Sequence, residues 1–301
     1  MVKDFIALTD YSRDEIAALL DFADELKAAL KSGAPHAHLA GKTVAMLFEK
    51  PSLRTRVTFE TGTFQMGGHA IYFQTALGER ETVADMARNL DRWVDGIVAR
   101  TFSHAHVVEL AEHCAGAPVI NGLTDFNHPC QIMADVQAVR EHRGKHLAGF
   151  KLAFVGDGNN VFNSWANFAR RVPIDVTLVC PPGYEADAAF VAEAQAEAEG
   201  RIEVTSDLDG VKGAHAVYTD VWASMGQEEE TAKREQAFGA YQVNAALMAL
   251  AEKDALFMHC LPAHRGSEVT DEVIDAPNSI VFDQAENRLH AQKAVLATLL
   301  T

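Results

Sequence analysis

Short apolar runs alternate with helical segments along nearly the whole chain, and this alternation limits the fold more than any other feature. In the first half, Gly96 to Ala99 and Pro118 to Asn121 are typical of buried strands, and Val107 to Cys114 between them has helical spacing. A second series begins with the apolar run Lys151 to Val155. Strands that alternate with helices at this spacing form parallel sheets. The sequence therefore predicts an α/β fold with two domains, each a parallel sheet flanked by helices.

The length of the chain supports a division into two domains. Its 301 residues exceed what a single hydrophobic core usually organises. The polar stretch Arg143-Gly144-Lys145 lies between the two series of strands. It predicts a first domain at residues 1–143 and a second domain at residues 144–285.

The C-terminal sequence supports two further predictions. The apolar run Ser279 to Phe282 predicts a last strand, and Asn287 to Leu300 predicts a final helix. We expect this helix to return to the first domain, so that residues 286–301 join it.

Charge and hydropathy exclude several classes of protein. The chain has 26 basic residues against 42 acidic ones, a formal net charge of −16, whereas nucleic-acid binders need basic surface. No stretch approaches the roughly 18 consecutive apolar residues of a membrane span, and Met1 to Asp14 lacks the pattern of a targeting peptide. We therefore expect a cytoplasmic protein with no nucleic-acid and no membrane partner.

Cysteine spacing argues against disulfides and against a zinc site. The four cysteines, Cys114, Cys130, Cys180 and Cys260, lie far apart and form no CxxC pair. Disulfide scaffolds are small and cysteine-dense, and zinc sites need closely spaced ligands. The sequence predicts free thiols and no metal.

The strongest local signal is Ser52-Leu53-Arg54-Thr55-Arg56, which directly follows a predicted strand. Two arginines and two hydroxyl groups stand at the beginning of a helix, where unpaired N–H groups and the helix dipole already favour an anion. Arginine also binds phosphate oxygens in a planar, bidentate manner. Taken alone, the string is equally compatible with a capped helix that carries two solvated arginines.

Two further groups are predicted to lie at the same edge of the first sheet. His128-Pro129-Cys130-Gln131 follows a strand and an Asn/Asp-rich turn, and Arg100 ends the strand that begins at Gly96. Proline suits the first turn of a helix, so His128 belongs to the loop between strand and helix. Ligands of parallel sheets bind at the carboxyl ends of the strands. This coincidence favours a binding site for phosphate and carbonyl oxygens.

Three strand ends of the second half also carry polar groups. Gly156-Asp157-Gly158-Asn159-Asn160 resembles a dinucleotide fingerprint, but Val161 stands where the third glycine belongs. Asp220 to Gly226 follows another strand, and a carboxylate there can hold an ammonium group. Met258 to Pro262 closes a third strand and brings a thiol to the same edge. These segments predict a second binding site, with Asn160 offering an amide.

Together these motifs resemble the aspartate/ornithine carbamoyltransferase family over essentially the whole chain. Ser52 to Arg56 matches the family's S-T-R-T-R motif with Leu53 in place of the first threonine, and His128 to Gln131 matches H-P-x-Q. Asp220 to Gly226 and His259 to Pro262 match the D-x-x-x-S-M-G and H-C-L-P motifs of the members that use ornithine. Members that use aspartate lack the cysteine motif, so the resemblance favours ornithine.

The resemblance implies two α/β domains, a homotrimer with active sites at subunit interfaces, and no cofactor. It also implies a set of residues that bind carbamoyl phosphate: Ser52, Leu53, Arg54, Thr55, Arg100, His128, Gln131 and Arg288. Within this set, Leu53 contributes its backbone, Arg100 and His128 hold the carbonyl oxygen, and Gln131 holds the carbamoyl amide.

By the same resemblance, a second set of residues binds ornithine: Asn160, Asp220, Ser224, Met225, Cys260 and Leu261. The residues that would act in catalysis are Arg54, Thr55, Arg100, His128, Asp220 and Cys260. Family members often carry Gln or His before Leu77-Gly78, on a loop that reaches the neighbouring subunit. Here that position is Ala76, so we leave it out of the site.

The implied reaction transfers the carbamoyl group from carbamoyl phosphate to the δ-amine of L-ornithine, giving citrulline and phosphate. It proceeds by direct attack, so Cys260 orients the amine and forms no covalent intermediate. Three alternatives stay open: a carbamoyltransferase for acylated ornithine or putrescine, a nicotinamide-dependent oxidoreductase, and a binding protein without catalysis. The chemistry is reversible and serves both arginine synthesis and arginine breakdown.

Overall fold

The computed structural model describes residues 3–223 and 230–301, apart from the side chain of Thr231. The chain divides into two units. The first unit comprises the residues up to Gln137 together with Glu286–Thr301, and the second comprises Ala138–Ala285. Within the described ranges, no helix is both long enough and apolar enough to cross a lipid bilayer.

The helices and strands of the first unit follow one another in α/β order. They are α1 (Arg13–Ser32), β1 (Thr43–Phe48), α2 (Leu53–Gln65), β2 (His69–Gln74), α3 (Val83–Leu90), β3 (Gly96–Arg100), α4 (His104–His113), β4 (Val119–Leu123) and α5 (Pro129–Arg143). The strands form a parallel sheet in the order β2-β1-β3-β4. The boundary between the units falls inside α5.

The register of the first sheet brings the site-bearing strand ends together. Phe48 of β1 pairs with Arg100 of β3, and Arg100 pairs with Leu123 of β4. Because the strands are parallel, the segments that follow them leave the sheet at one edge. The strand β1 is buried from Val44 to Phe48, which explains why its apolar run predicts a strand so well.

The second unit repeats this pattern. Its elements are β5 (Lys151–Val155), α6 (Asn160–Ala169), β6 (Asp175–Val179), α7 (Ala188–Glu197), β7 (Ile202–Thr205), β8 (Ala216–Thr219), α8 (Thr231–Phe238), α9 (Ala245–Met248), β9 (Leu256–His259), α10 (Asp271–Ile274) and the first part of α11 (Val281–Leu300). The parallel sheet has the order β7-β6-β5-β8-β9. Val155 pairs with Thr219, and Thr219 with His259. The residues that follow these three therefore leave the same edge.

The predicted fold class is confirmed, and so is the return of the last helix to the first unit. Lys27 of α1 donates a 2.7 Å hydrogen bond to Asn287 of α11. At the far end of α11, Leu300 packs against the start of β3, where a Cβ at Gly96 would stand 3.1 Å from its methyl group. Glycine at position 96 makes room for this contact.

The predicted strand at residues 279–282 is wrong. Ser279 makes a single bridge to Phe257, and the helix α11 already begins at Val281, six residues before the predicted start. Ile280 still donates its N–H to the carbonyl of Phe257, and its own carbonyl then accepts the helical N–H of Gln284. Ile280 and Val281 are apolar because they are buried at the beginning of helix α11.

Candidate active site

The first site element is the beginning of α2. Ser52 is the N-cap residue, and its hydroxyl accepts the N–H of Thr55 at 3.4 Å. Arg54 lies half-buried in the first turn, while Leu53 is 75% exposed. The cap satisfies one N–H of the first turn. The unpaired N–H groups and the positive dipole end of a helix beginning favour an anion.

A connected group of polar side chains surrounds Thr55, which is buried. Its hydroxyl oxygen accepts hydrogen bonds from Arg100 at 3.4 Å and from Arg288 at 3.1 Å. Arg288 also donates to the side-chain oxygen of Gln131 at 2.5 Å, and Gln131 in turn donates to Asp135 at 2.8 Å. Residues from α2, β3, α5 and α11 therefore meet at one point in the first unit.

His128 is buried beside the same two guanidinium groups. Burial is the main cause that lowers its pKa well below the usual value, and the positive charges of Arg288 and then Arg100 lower this pKa further. The imidazole is therefore neutral at pH 7, with one N–H donor. The turn before it is held by Asn127, whose carbonyl accepts the N–H of Thr124 at 3.0 Å.

Arg56 has a different role from Arg54. Its Nε donates to Glu60 at 2.9 Å, and its guanidinium carbon lies 3.8 Å from the ring centre of Tyr72. These contacts hold Arg56 against its own helix and the neighbouring strand β2. The sequence motif contains two arginines, but the structure assigns this one to local packing.

Glu49 is a residue of this edge that the sequence analysis missed. One carboxylate oxygen accepts the N–H of Leu77 at 3.0 Å, and the other accepts the N–H of Phe102 at 2.6 Å. It therefore fastens the loop that carries Ala76 to the loop after β3. An acidic residue directly after a buried strand was the signal that could have indicated it.

The second unit gathers its polar groups around Asp220. Its carboxylate accepts hydrogen bonds from the side-chain amide of Asn159 at 2.9 Å, the thiol of Cys260 at 3.0 Å and the N–H of Val221 at 2.8 Å. Asp220 is 8% exposed. The strand-end acid and the thiol that the sequence predicts for one site are therefore in contact.

In the loop that resembles a dinucleotide fingerprint, Gly158 is required by close packing of the backbone. A Cβ at Gly158 would lie 2.2 Å from the backbone nitrogen of Ala186, so two backbone segments approach closely there. Asn159 caps α6 by accepting the N–H groups of Val161 and Phe162. The predicted site residue Asn160 is half-buried in the first turn of α6, and its neighbour Asn159 was not predicted.

The segment after β9 is fixed by a buried pair of side chains. The Nε2 of His259 lies 3.1 Å from a carboxylate oxygen of Glu268, and both residues are fully buried. The Nδ1 of His259 accepts the N–H of Leu261 at 2.8 Å. Leu261 has a φ of 57°, a conformation that a leucine adopts only when its surroundings impose it. The histidine of the H-C-L-P motif thus positions Cys260.

In the described part of the chain, one group of side chains has the composition of a metal site. Asp220, His259 and Cys260 each place one ligand atom within 4.8 Å of the others. Both ring nitrogens of His259 are already in hydrogen bonds, however. A metal would have to break one of them, so this group does not fit a resident ion.

Comparison with known proteins assigns the chain to a family. Residues 3–141 match the family model of the carbamoyl-P binding domain of aspartate/ornithine carbamoyltransferase, and residues 148–299 match the model of its Asp/Orn binding domain. The chain belongs to the aspartate/ornithine carbamoyltransferase family. The resemblance of its motifs to this family is confirmed.

Individual relatives of the family cover the whole chain. The ornithine carbamoyltransferase of Pelobacter propionicus is 52% identical over an alignment of 304 positions, which covers 100% of this chain and 99% of that protein. The solved structure of ornithine carbamoyltransferase from Pyrococcus furiosus superposes with a TM-score of 0.95 at 49% identity and covers 99% of this chain and 97% of that one. The enzyme from Thermus thermophilus gives a TM-score of 0.89 at 44% identity, with 100% of both chains covered.

Two residues of the predicted ornithine site, Ser224 and Met225, lie outside the described residues. The other predicted residues form two groups, one in each unit. Ser52, Leu53, Arg54, Thr55, Arg100, His128, Gln131 and Arg288 belong to the first unit, and Asn160, Asp220, Cys260 and Leu261 belong to the second.

Proposed function

We propose that this family member is an ornithine carbamoyltransferase, which transfers the carbamoyl group of carbamoyl phosphate to the δ-amine of L-ornithine. The observation that carries the proposal is the contact between Cys260 and Asp220 at 3.0 Å. It unites the two motifs that are typical of the ornithine-using members. Relatives at about 50% identity that bear this name support the same activity.

The first unit would bind carbamoyl phosphate. The phosphate group would lie at the beginning of α2, where Ser52, Arg54 and Thr55 provide hydroxyl, guanidinium and backbone donors. Because Thr55 accepts hydrogen bonds from Arg100 and Arg288, its own hydroxyl hydrogen can donate to the ligand. We propose residues 1–143 with 286–301 as the domain that binds this substrate.

The second unit would bind ornithine, in the domain that we propose at residues 144–285. Asp220 would hold the α-ammonium group, and Asn160, Ser224 and Met225 would contribute to the same end of the substrate. Cys260 and Leu261 would lie beside the δ-amine. The thiol donates to Asp220, so it can orient the amine without acting as a nucleophile.

The reaction would proceed by direct attack. The lone pair of the uncharged δ-amine forms a bond to the carbonyl carbon, and negative charge develops on the carbonyl oxygen. Thr55, Arg100 and the neutral imidazole of His128 would stabilise this oxygen, and one such donor typically contributes about 2.7–4 kcal/mol. Collapse of the intermediate breaks the carbon–oxygen bond to phosphate, which leaves with the electron pair and accepts the proton of the amine.

The exposed apolar surface of the first unit supports the trimer that the family implies. Leu53, Val57 and Phe64 lie on one side of α2 and are 75%, 48% and 79% exposed, and Phe73 of the adjacent β2 is 44% exposed. Apolar patches of this kind mark protein interfaces. We propose a homotrimer of cytoplasmic location that takes part in arginine metabolism without a cofactor.

The test is an assay of citrulline formation from carbamoyl phosphate with four acceptors. Ornithine should give citrulline and phosphate in equal amounts, and acetylornithine, putrescine and aspartate should react far more slowly. Faster carbamoylation of putrescine or acetylornithine would favour another acceptor within the same chemistry. Absence of any carbamoylated product would contradict the proposal.

A further inference from the structure

A buried ion pair lies next to the proposed ornithine site and has no part in the reaction described above. Arg234 of α8 is 6% exposed, and its guanidinium donates to the carboxylate of Asp157 at 2.7 Å and to the carbonyl of Trp222 at 2.9 Å. Its Nε also donates at 3.2 Å to Glu230, four residues earlier, whose side chain is 53% exposed. The same group lies 5.0 Å from the ring centre of Tyr184. A buried arginine with these partners has a fixed position and a permanent charge.

Asp157 is connected to Asp220 through Asn159. The pKa of Asp157 is raised, and burial is the main cause. The hydrogen bond and charge of Arg234 lower this pKa, and the negative charge of Asp220 raises it. Asn159 bonds to both residues: its backbone N–H donates to the carbonyl of Asp157 at 2.8 Å, and its side-chain amide donates to the carboxylate of Asp220 at 2.9 Å. Asp157, Arg234 and Asp220 therefore form a connected group of two carboxyl groups and one guanidinium.

The two acidic groups differ in their partners. Within the described ranges, the hydrogen-bond partners of Asp220 are an amide, a thiol and a backbone N–H, all of them uncharged. Asp157 instead pairs with the guanidinium of Arg234. The charge of Arg234 offsets that of Asp157, so these three residues together carry one net negative charge, which lies at Asp220. The other partner of Arg234, Glu230, is 53% exposed, so solvent screens its charge.

We propose that Arg234 is a specificity-determining residue, because it offsets the buried charge of Asp157 and leaves Asp220 as the uncompensated carboxylate of this group. This inference rests on the proposed function, and it explains a preference for an amino acid over a diamine. Ornithine with an uncharged δ-amine has one ammonium and one carboxylate, whereas putrescine with one uncharged amine has an ammonium alone. A second uncompensated carboxylate would repel the carboxylate of ornithine and attract the cation of putrescine.

The proposal is tested by variants that change the charge of this pair in both directions. Among Asp157, Arg234 and Asp220, Arg234→Gln leaves two carboxyl groups and no cation, and Asp157→Asn leaves one carboxylate and one cation. The double variant leaves the carboxylate of Asp220 alone, which restores the net charge of the wild type. Arg170→Gln is the matched control, because Arg170 also pairs with acidic groups of the second unit, Glu193 and Glu197, at the other end of α6. For each protein, kcat and KM are measured separately with ornithine and with putrescine.

We expect Arg234→Gln to raise KM for ornithine by about tenfold or more and to shift the ratio of kcat/KM for putrescine over ornithine upward by a similar factor. Asp157→Asn should raise KM for ornithine without favouring putrescine. The double variant should return the ratio to within about threefold of the wild type, and Arg170→Gln should leave it unchanged. Affinity for carbamoyl phosphate, measured by calorimetry, should stay the same in all four.

Several outcomes would overturn the proposal. If Arg234→Gln slowed both acceptors equally, or if the double variant retained an altered ratio, Arg234 would serve only to hold the backbone at Trp222. If Arg234→Gln does not fold, the comparison of Asp157→Asn with the double variant decides, because only the charge account predicts recovery of KM in the latter. Failure of the wild-type protein to carbamoylate ornithine would instead contradict the proposed function itself.

Discussion

Arg288 donates a 3.1 Å hydrogen bond to the hydroxyl of Thr55, a residue 233 positions earlier in the chain. The same guanidinium reaches Gln131. The last helix thus completes a group of side chains that begins with the first strand-to-helix loop. Since all three residues are buried, loss of the guanidinium would leave the other two without these bonds.

Arg288→Gln should therefore weaken the binding of carbamoyl phosphate. A buried hydrogen bond to a charged group contributes about 1.5–3 kcal/mol, so we expect a Kd at least tenfold higher. Isothermal titration calorimetry without ornithine measures this change. Arg92→Gln, which removes an exposed guanidinium of the same unit, is the control and should bind normally. An unchanged Kd in Arg288→Gln would remove Arg288 from the site.

Cys260→Ala should retain affinity for carbamoyl phosphate but use ornithine less well. The variant lacks the thiol that contacts Asp220 at 3.0 Å, so KM for ornithine should rise and kcat should fall. Steady-state kinetics measure both constants, with Cys114→Ala as a control in the first unit. A carbamoyl group covalently attached to Cys260, detected by mass spectrometry of the wild-type protein during turnover, would contradict direct attack.

Phe64→Glu should dissociate the proposed trimer. Phe64 is 79% exposed on the apolar side of α2, and a carboxylate there would be costly to bury against another chain. Sedimentation velocity should give three times the chain mass for the wild type and a smaller species for the variant. Phe282→Glu changes another exposed phenylalanine, at 67%, and should leave the assembly intact. A fully active wild-type monomer would be inconsistent with the trimer.

His128 should make stability depend on pH. Its pKa is lowered in the folded protein, so below the usual value of 6.5 the unfolded chain binds a proton that the folded protein does not. The free energy of unfolding should therefore fall as pH decreases through 6.5, with a slope of up to about 1.4 kcal/mol per pH unit from this group. Urea unfolding between pH 5 and pH 8 should show a smaller decrease in His128→Asn than in the wild type. Exposed His146→Asn serves as the control, and equal slopes in both variants would refute the assignment.

The strands were predictable because their apolar runs are buried at regular spacing. The strand Lys151 to Val155 has the predicted bounds, and the strand predicted at Gly96 to Ala99 extends one residue further, to Arg100. The same rule failed at Ser279 to Phe282, because a buried helix start and a short strand have the same apolar composition. The apolar pattern indicates which residues are buried. Whether residues 279–282 form a strand or begin a helix depends on contacts with residues distant in sequence.

The site residues were only partly predictable for a related reason. Motifs indicate strand ends, and the register then brings the ends of β5, β8 and β9 to one edge. Sequence motifs do not distinguish Asn159 from Asn160. The geometry in which Asn159 caps α6 and donates to Asp220 exists only in the folded loop. Likewise, the motif does not show that Arg54 and Arg56 differ. Only the structure shows that Arg56 pairs with Glu60.

The measurement that tests the account most directly is calorimetric titration of carbamoyl phosphate, without ornithine, into Arg54→Gln and Asp220→Asn. In the proposed function, the phosphate lies at the beginning of α2 in the first unit, and the acceptor ammonium lies at Asp220 in the second. Arg54→Gln should therefore abolish binding, while Arg56→Gln, whose guanidinium is held by Glu60 and Tyr72, should retain it. Asp220→Asn should bind carbamoyl phosphate as the wild type does and fail to saturate with ornithine. If Asp220→Asn lost carbamoyl phosphate binding as completely as Arg54→Gln, the assignment of the two substrates to separate units would be wrong.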